Sequence, residues 1–536
     1  MTQTAQKDGP VASRFGSQEH GDGSHGDGAS IPHLDVLVVG AGLSGIGAGC
    51  YLERVCPWAS FAIFEARDAI GGTWDLFRYP GVRSDSDMHT LGYSFRPWDG
   101  EKSIADGDSI LQYVKDTAAL YGIDRRIRFH HRVTAADWSS ADMRWHVTAT
   151  RSDTGETLQL TAGFLFSCSG YYRYDHGYLP DFAGRDAFGG TIVHPQAWPD
   201  GLDVSGQRVV VIGSGATAFT LVPALALSAA HVTMLQRSPT WVGSVPQKSP
   251  VAALLRAVLP PKKAGTAAKW FHALLTQGFY RLCTRYPTRM RRFLLGALRR
   301  QLPEGYDVGT HFTPTYDPWD QRFCAVPDGD LFKAISDGSV SVVTDTIARF
   351  TPKGLLLTSG VELEADVVVT ATGLQLLFLG GIALSVDGES VDPATRVTYR
   401  GMMLEGVPNL AFAIGYTNAS WTLKCDLTCD FACRLLNHMR ARDLSECVAR
   451  NTDGTAEDGT VLGLNAGYIH RSAHLLPKQG SKHPWRIHQS YLRDYRALKL
   501  AAVEDGCIEF RAPGDVNGVR AGGSAVPEPA VTSRVS

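Results

Sequence analysis

The chain has 536 residues, 44% of them hydrophobic and 20% charged, with a formal net charge of −2. That length exceeds what one hydrophobic core supports, so two or more domains are expected in a globular protein. A charge so close to zero excludes a dedicated nucleic-acid-binding protein.

Residues 1–30, ending "HGDGSHGDGAS", hold almost nothing to bury and read as a disordered tail, as do 511–536. The N-terminus lacks the basic, apolar and small-residue succession of a secretory signal, and no apolar run is long enough to span a membrane. Ten scattered cysteines without C-x-x-C or zinc spacing read as reduced thiols, which points to the cytoplasm.

The first organised stretch is "LDVLVVGAGLSGIGAG". Leu34 to Val39, apolar but for Asp35, show the pattern of a parallel strand buried on both faces. Gly40, Gly42 and Gly45 follow in G-x-G-x-x-G spacing, with Ser44 among the first helical residues. The first glycine permits the tight turn, the second admits a pyrophosphate to the backbone, and the third lets helix and strand pack. The next strand, "FAIFE", ends in Glu65, placed to accept hydrogen bonds from an adenosine ribose. Further on, "GGTWDLFRYPGVRSDSD" (71–87) has Trp74 where a disulfide reductase needs a thiol, which argues against thiol exchange. "IRFHHRVTAADW" alternates around Val133, whose backbone is expected to meet the adenine edge.

A second unit reads "RVVVIGSGATA". Val209 to Ile212 are its strand, Gly213 and Gly215 fill the first two glycine positions, Ala218 the third, and Ser214, Ala216 and Thr217 complete the turn. Where the first unit ends its next strand in Glu65, this one has Gln236, then Arg237 and Ser238. A guanidinium pairs with a 2′-phosphate that a carboxylate would repel, so NADPH is expected over NADH.

Residues 204–303 contain no Asp or Glu, whereas eleven Lys and Arg fall between 251 and 300, interleaved with apolar residues. Two accounts stay open: a helical cover over the active site, or an amphipathic surface on anionic lipid. "ELEADVVVTATG" (362–373) is another buried strand, ending in Gly373, where the chain would return to the first domain. "CDLTCDFAC" places Cys425, Cys429 and Cys433 on one helical face, read as core rather than as a metal or redox site.

Two dinucleotide sites suggest a flavin that takes hydride from a nicotinamide. The expected fold is α/β, with two Rossmann-like dinucleotide-binding domains and a helical insert. A discontinuous, glutathione-reductase-like FAD domain (31–190 and 355–510) is interrupted by an NADPH domain (191–354) carrying a basic helical insert at about 245–315.

"GGTWDLFRYPGVRSD" resembles the flavin-side motif of Baeyer–Villiger (class B flavoprotein) monooxygenases. The segment "DAFGGTIVHPQAWP" matches their F-x-G-x-x-x-H-x-x-x-W-P signature through Phe188, Gly190, His194, Trp198 and Pro199. The resemblance covers about 33–500 and is strongest to the ethionamide-activating branch, through "QLPEGYDV", "PWDQR" and "GYTNASWTLK". It implies FAD and NADPH as cofactors and O2 with an apolar ketone, thioamide or thioether as substrates. Thr73, Trp74 and Asp85 then belong to the flavin side, and the signature residues to the linker that sets domain placement. It also implies a catalytic arginine, assigned to Arg322 of "TYDPWDQRFCAVPDGDLF", which keeps a flavin-bound peroxide anionic and is held by Asp85. Many relatives carry Lys where this chain has Gln321. Asn418 and Trp421 are candidates for the substrate pocket. Competing functions are a flavin monooxygenase confined to sulfur and nitrogen, and a non-catalytic NADPH/FAD redox sensor.

Overall fold

A computed structural model describes residues 31–514 apart from 453, 456 and 464–466. The expected tails therefore lie outside the described residues, save for 511–514, where Arg511 closes a short strand (Ile508–Arg511) paired with Glu446–Ala449.

The apolar run after residue 33 forms β1 (His33–Val39), followed by α1 (Leu43–Val55), β2 (Phe61–Phe64) and β3 (Ile127–Arg128). Between β2 and β3 lie α2 (Thr73–Leu76), α3 (Met88–Leu91) and α4 (Gly107–Leu120). An antiparallel meander, β4 (His131–Ser139), β5 (Arg144–Arg151) and β6 (Thr157–Ser167), joins β1 through β6. β1 is parallel to both its neighbours, β2 and β6. Its alternate residues pack into two cores: Val36 and Val38 on the side of α1, Leu37 and Val39 on the side of the meander. Both faces are covered from Val36 to Val39, so these four positions are all apolar.

β7 (Thr191–Val193), β8 (Arg208–Ile212), α5 (Ala216–Leu225) and β9 (His231–Gln236) begin a second sheet. β10 (Val242–Val245) leads into the helices α6 (Pro250–Val258), α7 (Pro261–Arg285), α8 (Pro287–Arg299) and α9 (Val308–Phe312). The chain returns along β11 (Cys324–Pro327), which pairs with β10 in parallel and closes the base of this helical insert. α10 (Asp330–Ser336), β12 (Val340–Thr344) and a three-stranded meander, β13 (Ile347–Thr351), β14 (Gly354–Leu357) and β15 (Glu362–Glu364), precede β16 (Val367–Thr370). The second sheet is wholly parallel in the order β12-β9-β8-β16-β7.

The position of β16 moves the expected domain boundary. Val367 and Val369 pack on one face of the second sheet and Val368 on the other, so this strand is internal to it. The chain rejoins the first sheet after Gly373, not at 355. It then adds β17 (Ala383–Val386), β18 (Glu389–Val391), a small hairpin β19 (Thr398–Tyr399) and β20 (Met403–Leu404), and β21 (Leu410–Phe412) beside β6.

α11 (Trp421–Ala441) packs along α1, and α12 (Gly467–Ser472) follows it. Cys425, Cys429 and Cys433 lie in the core between α11 and the first sheet, where burial pushes the Cys425 thiol up to about 12. No helix among the described residues is long and apolar enough to cross a membrane.

Candidate active site

A cavity of about 640 Å3 lies just beyond the ends of β1, β2, β6 and β16 and reaches the start of α5. It thus opens where the strands of both sheets end, the place where α/β sheets bind ligands.

The first wall is the turn between β1 and α1. Gly40 has φ of +99°, and a Cβ there would sit 2.8 Å from the Cys168 carbonyl oxygen. Gly42 and Ser44 line the cavity beside it, while Gly45 lies underneath, where a Cβ would come within 1.7 Å of the Gly40 oxygen. Only glycine lets helix and turn close to this distance. Glu65, 7% exposed, accepts the Ala41 N–H at 2.7 Å and the Arg67 N–H at 2.9 Å. An ionised carboxylate offers about four acceptor positions, so capacity remains on the cavity side for ribose hydroxyls. Thr73, Trp74 and Val133 complete this wall. A helix N-terminus, a glycine turn and a buried carboxylate with spare acceptor sites fit the ADP half of FAD.

The second turn repeats the design. At Gly213, φ is +138° and a Cβ would lie 2.4 Å from the Ala371 oxygen. Gly215 caps α5 in extended conformation, with open space where its Cβ would point. Ala216 and Thr217 border the same cavity, and Ala218 packs in the core beneath. The Ser214 hydroxyl donates to the Ser238 carbonyl, tying the turn to the exit of β9. Gln236 is 1% exposed and donates to the His311 carbonyl and Thr344, so it faces inward. Arg237 and Ser238 stand exposed. This set fits a phosphorylated dinucleotide over the N-terminus of α5.

Between the two turns, Arg322 donates to the Asp85 carboxylate. About a third of each side chain is open, 37% and 33%, but the space it faces is the cavity that both residues line. The neighbouring Asp85 carboxylate raises the guanidinium above its ordinary pKa, against the opposing effect of burial. Arg322 is placed by the return strand of the insert, two residues before β11 begins. Asp85 belongs to the 71–87 loop, which crosses from the first sheet to the second. There Arg83 pairs with Asp330 of α10 at 2.5 Å, and a Cβ on Gly81 would meet Ala224 of α5 at 2.6 Å. The ion pair therefore spans the seam between the two nucleotide cradles.

Tyr171, Tyr172 and Tyr468 border the cavity and stand near enough to Arg322 to act on its charge. Burial pushes the Tyr468 hydroxyl up to about 12, and Tyr79, beside Thr217, likewise to about 12. These four tyrosines escaped the sequence reading. Tyr171 and Tyr172 follow the end of β6, a position that could have drawn attention, whereas nothing near Tyr468 in sequence announces Arg322.

The F-x-G-x-x-x-H-x-x-x-W-P segment builds the edge of the second sheet and the junction beside it. A Cβ on Gly190 would lie 2.3 Å from the Asp366 oxygen, and Phe188 packs in the core under β8 and β16. His194 accepts the Gln196 N–H at Nδ1 (3.2 Å) and donates from Nε2 to the Gly373 carbonyl (3.3 Å). Burial lowers its pKa, which favours this neutral tautomer. His194 thus pins the segment to the point where the chain leaves the second sheet. Trp198 packs partly buried on the core around α5, and Pro199 follows it as the turn leaves that core.

Of the two candidates for the substrate pocket, one is not on the wall. Asn418 is 6% exposed and donates to the Gln489 carbonyl at 2.9 Å, while its neighbours Thr417 and Ala419 line the cavity. The chain bends through 417–419, and Asn418 turns away from the cavity toward Gln489. Trp421 does border the cavity, packs 5.0 Å from Tyr171, and donates to the Ser44 hydroxyl at 2.8 Å.

Residues 34–255 match the model of the flavin-binding monooxygenase-like family. The chain is 54% identical over 479 residues to the FAD-containing monooxygenase EthA of Mycobacterium tuberculosis, covering 89% of this chain and 98% of that protein. It is 50% identical over 485 residues to the putative FAD-containing monooxygenase MymA of the same species, covering 90% and 98%. Among solved structures, an oxidised steroid monooxygenase bound to NADP superposes with a TM-score of 0.70 at 21% identity, covering 90% of this chain and all of that one.

Proposed function

The chain belongs to the family of flavin-binding, FAD-containing monooxygenases, and from that footing we propose that it inserts oxygen beside ketone carbonyls and oxidises sulfur centres such as thioamides or thioethers. It is an oxidoreductase whose cofactors are FAD and NADP. The observation that carries the proposal is the Arg322–Asp85 pair, placed on the cavity wall between two glycine-turn cradles.

The Gly40–Gly45 turn, Glu65, Thr73, Trp74 and Val133 would hold FAD, and the Gly213–Ala218 turn with Arg237 and Ser238 would hold NADPH. When bound, the flavin supplies two-electron acceptance from the nicotinamide and activation of dioxygen. Arg322 contributes a permanent positive charge that favours negative charge on a reacting oxygen. Asp85 holds the guanidinium in place and gives it an alternative partner when the nicotinamide occupies the site. The tyrosines and Trp421 close the cavity against water, which strengthens each of these interactions. The FAD-binding part is discontinuous in this reading, with 188–199 as the linker that sets the two parts against each other. Its small-molecule partners are O2 and an apolar substrate, and it works in the cytoplasm without nucleic acid.

The test is product analysis of the purified holoenzyme with NADPH, O2 and a panel of alkyl and aryl ketones and thioethers. Ester formation is expected. Sulfoxides without esters would replace the proposal with a sulfur- and nitrogen-oxidising enzyme. Peroxide release indifferent to substrate would favour a redox sensor.

A further inference from the structure

The helical insert has two faces of different character. Eight of the fourteen exposed large hydrophobic residues in the described chain lie between Leu254 and Phe293. Along α7, Phe271, Leu274, Leu275 and Leu282 recur at helical spacing and share one outward stripe, which Tyr286 just past its end and Phe293 of α8 continue. Leu275 and Phe293 are 57% and 60% exposed. Exposed basic residues flank the stripe, among them Lys262, Lys263, Arg281, Arg285, Arg289 and Arg292. No carboxylate occurs from 204 to 303 to offset them. Soluble surfaces rarely keep so many large apolar side chains together, and an apolar stripe edged only by cations is the pattern of a helix lying in an anionic lipid interface.

The opposite face of α7 packs on segments that border the active site. Lys269 reaches Asp426 of α11 at 2.9 Å, and His272 approaches Asp87, two residues after Asp85, at 3.7 Å. Phe279 stacks edge-on at 5.5 Å against Phe323, the residue after Arg322, and Tyr280 meets Trp319 in the same manner. One helix thus separates the apolar stripe from the segment that carries Arg322.

We propose that the α6–α8 insert seats the enzyme on an anionic bilayer, and that its substrates are lipophilic ketones or thioethers dissolved in that bilayer. The docking half stands on the insert alone. The substrate half rests on the monooxygenase reading above.

The test uses full-length holoenzyme and vesicles of phosphatidylglycerol with phosphatidylcholine, against vesicles of phosphatidylcholine alone. Sedimentation with the anionic vesicles is expected at low ionic strength, falling at least tenfold in bound fraction at high salt, where charges are screened. A stripe variant, Leu274→Ser/Leu275→Ser/Leu282→Ser/Phe293→Ser, is expected to lose binding while turning over a water-soluble ketone at the wild-type rate. With a long-chain ketone, anionic vesicles should raise the wild-type rate several-fold and leave the variant unchanged. Absence of sedimentation at low salt, or equal sedimentation of the variant, overturns the docking. A concentration-dependent dimer that the stripe variant abolishes, without vesicle binding, would assign the face to a second copy instead. If vesicles bind but neither ketone is oxidised, the monooxygenase reading fails and the docking stands.

Discussion

Asp85 and Arg322 meet across the seam between the two sheets, one brought by the loop that follows β2, the other by the strand that closes the helical insert. Neither sheet alone positions the pair, so the charge in the cavity depends on how the two halves are docked. Arg322→Ala is expected to lower kcat by about 10²–10³, the usual cost of removing one preorganised charge. Asp85→Asn leaves the guanidinium without its holder and should lower kcat less, with flavin content unchanged. Steady-state turnover and the flavin absorbance ratio measure both effects. An Arg322→Ala enzyme within twofold of wild type would remove the pair from the chemistry.

Arg237 is the exposed residue at the end of β9, and Gln236 beside it is locked inward. The 2′-phosphate of NADPH then has one cationic partner at that strand end. Charged hydrogen bonds contribute about 1.5–3 kcal/mol, so Arg237→Ala should raise KM for NADPH by roughly ten- to a hundredfold. KM for NADH should barely move. Equal changes for both nucleotides would show that the side chain acts on the fold of the turn and not on the phosphate.

The two nucleotide units were legible because their signals are local. An apolar run followed by G-x-G-x-x-G encodes strand, turn and helix within a few residues, and the valines of β1 and β8 pack on both sides as that pattern demands. The boundary drawn at 355 stops short of Gly373, although the sequence of 362–373 already places the return to the first domain there. "VVVT" reads the same in either sheet, and only the pairing of β16 between β8 and β7 assigns it. Asn418 failed for a related reason: a motif names a segment, whereas the backbone decides which side chains face the cavity. Tyr468 comes to Arg322 through tertiary packing that no sequence neighbour announces.

Gly45 and Gly215 separate the packing role of a glycine from its binding role. A methyl group at Gly45 would overlap the Gly40 carbonyl oxygen at 1.7 Å, so helix and turn must part. Gly45→Ala is expected to yield protein depleted of flavin, seen as a fall in visible absorbance per chain and restored poorly by added FAD. At Gly215 the same methyl group meets nothing in the protein and the backbone is extended. Gly215→Ala should therefore leave the thermal midpoint within about 1 °C of wild type, a shift of about 1 kcal/mol at most for a protein of this size. It should weaken NADPH binding, because the methyl enters the space over the helix N-terminus. A drop in thermal midpoint without a change in NADPH affinity would reverse that assignment.

His89 gives a pH dependence of stability whose sign can be worked out. Its side chain on α3 is 5% exposed, Nε2 has no hydrogen-bond partner among the described residues, and its ring lies 4.9 Å from that of His272. Burial, helped by the positive charges of His272 and Arg256, lowers its pKa from 6.5 to about 4. The unfolded chain thus binds a proton near pH 6.5 that the folded chain refuses until about pH 4. Stability from this group is complete above pH 6.5 and is lost as the pH falls toward 4. The displacement corresponds to roughly 3 kcal/mol at most. A His89→Gln variant carries no titrating group here, so between pH 7 and pH 4.5 it should lose about 2–3 kcal/mol less stability than wild type. Carboxylates elsewhere destabilise both proteins alike over that range and cancel in the comparison. Urea midpoints at several pH values measure the difference, and parallel pH profiles for the two proteins would mean that His89 titrates as it does in the unfolded chain. Because α3 also carries the ring that faces His272 of α7, protonation there would first loosen the contact between the insert and the loop bearing Asp85 and Asp87. Turnover near pH 4 should accordingly fall before global unfolding in wild type and less so in the variant.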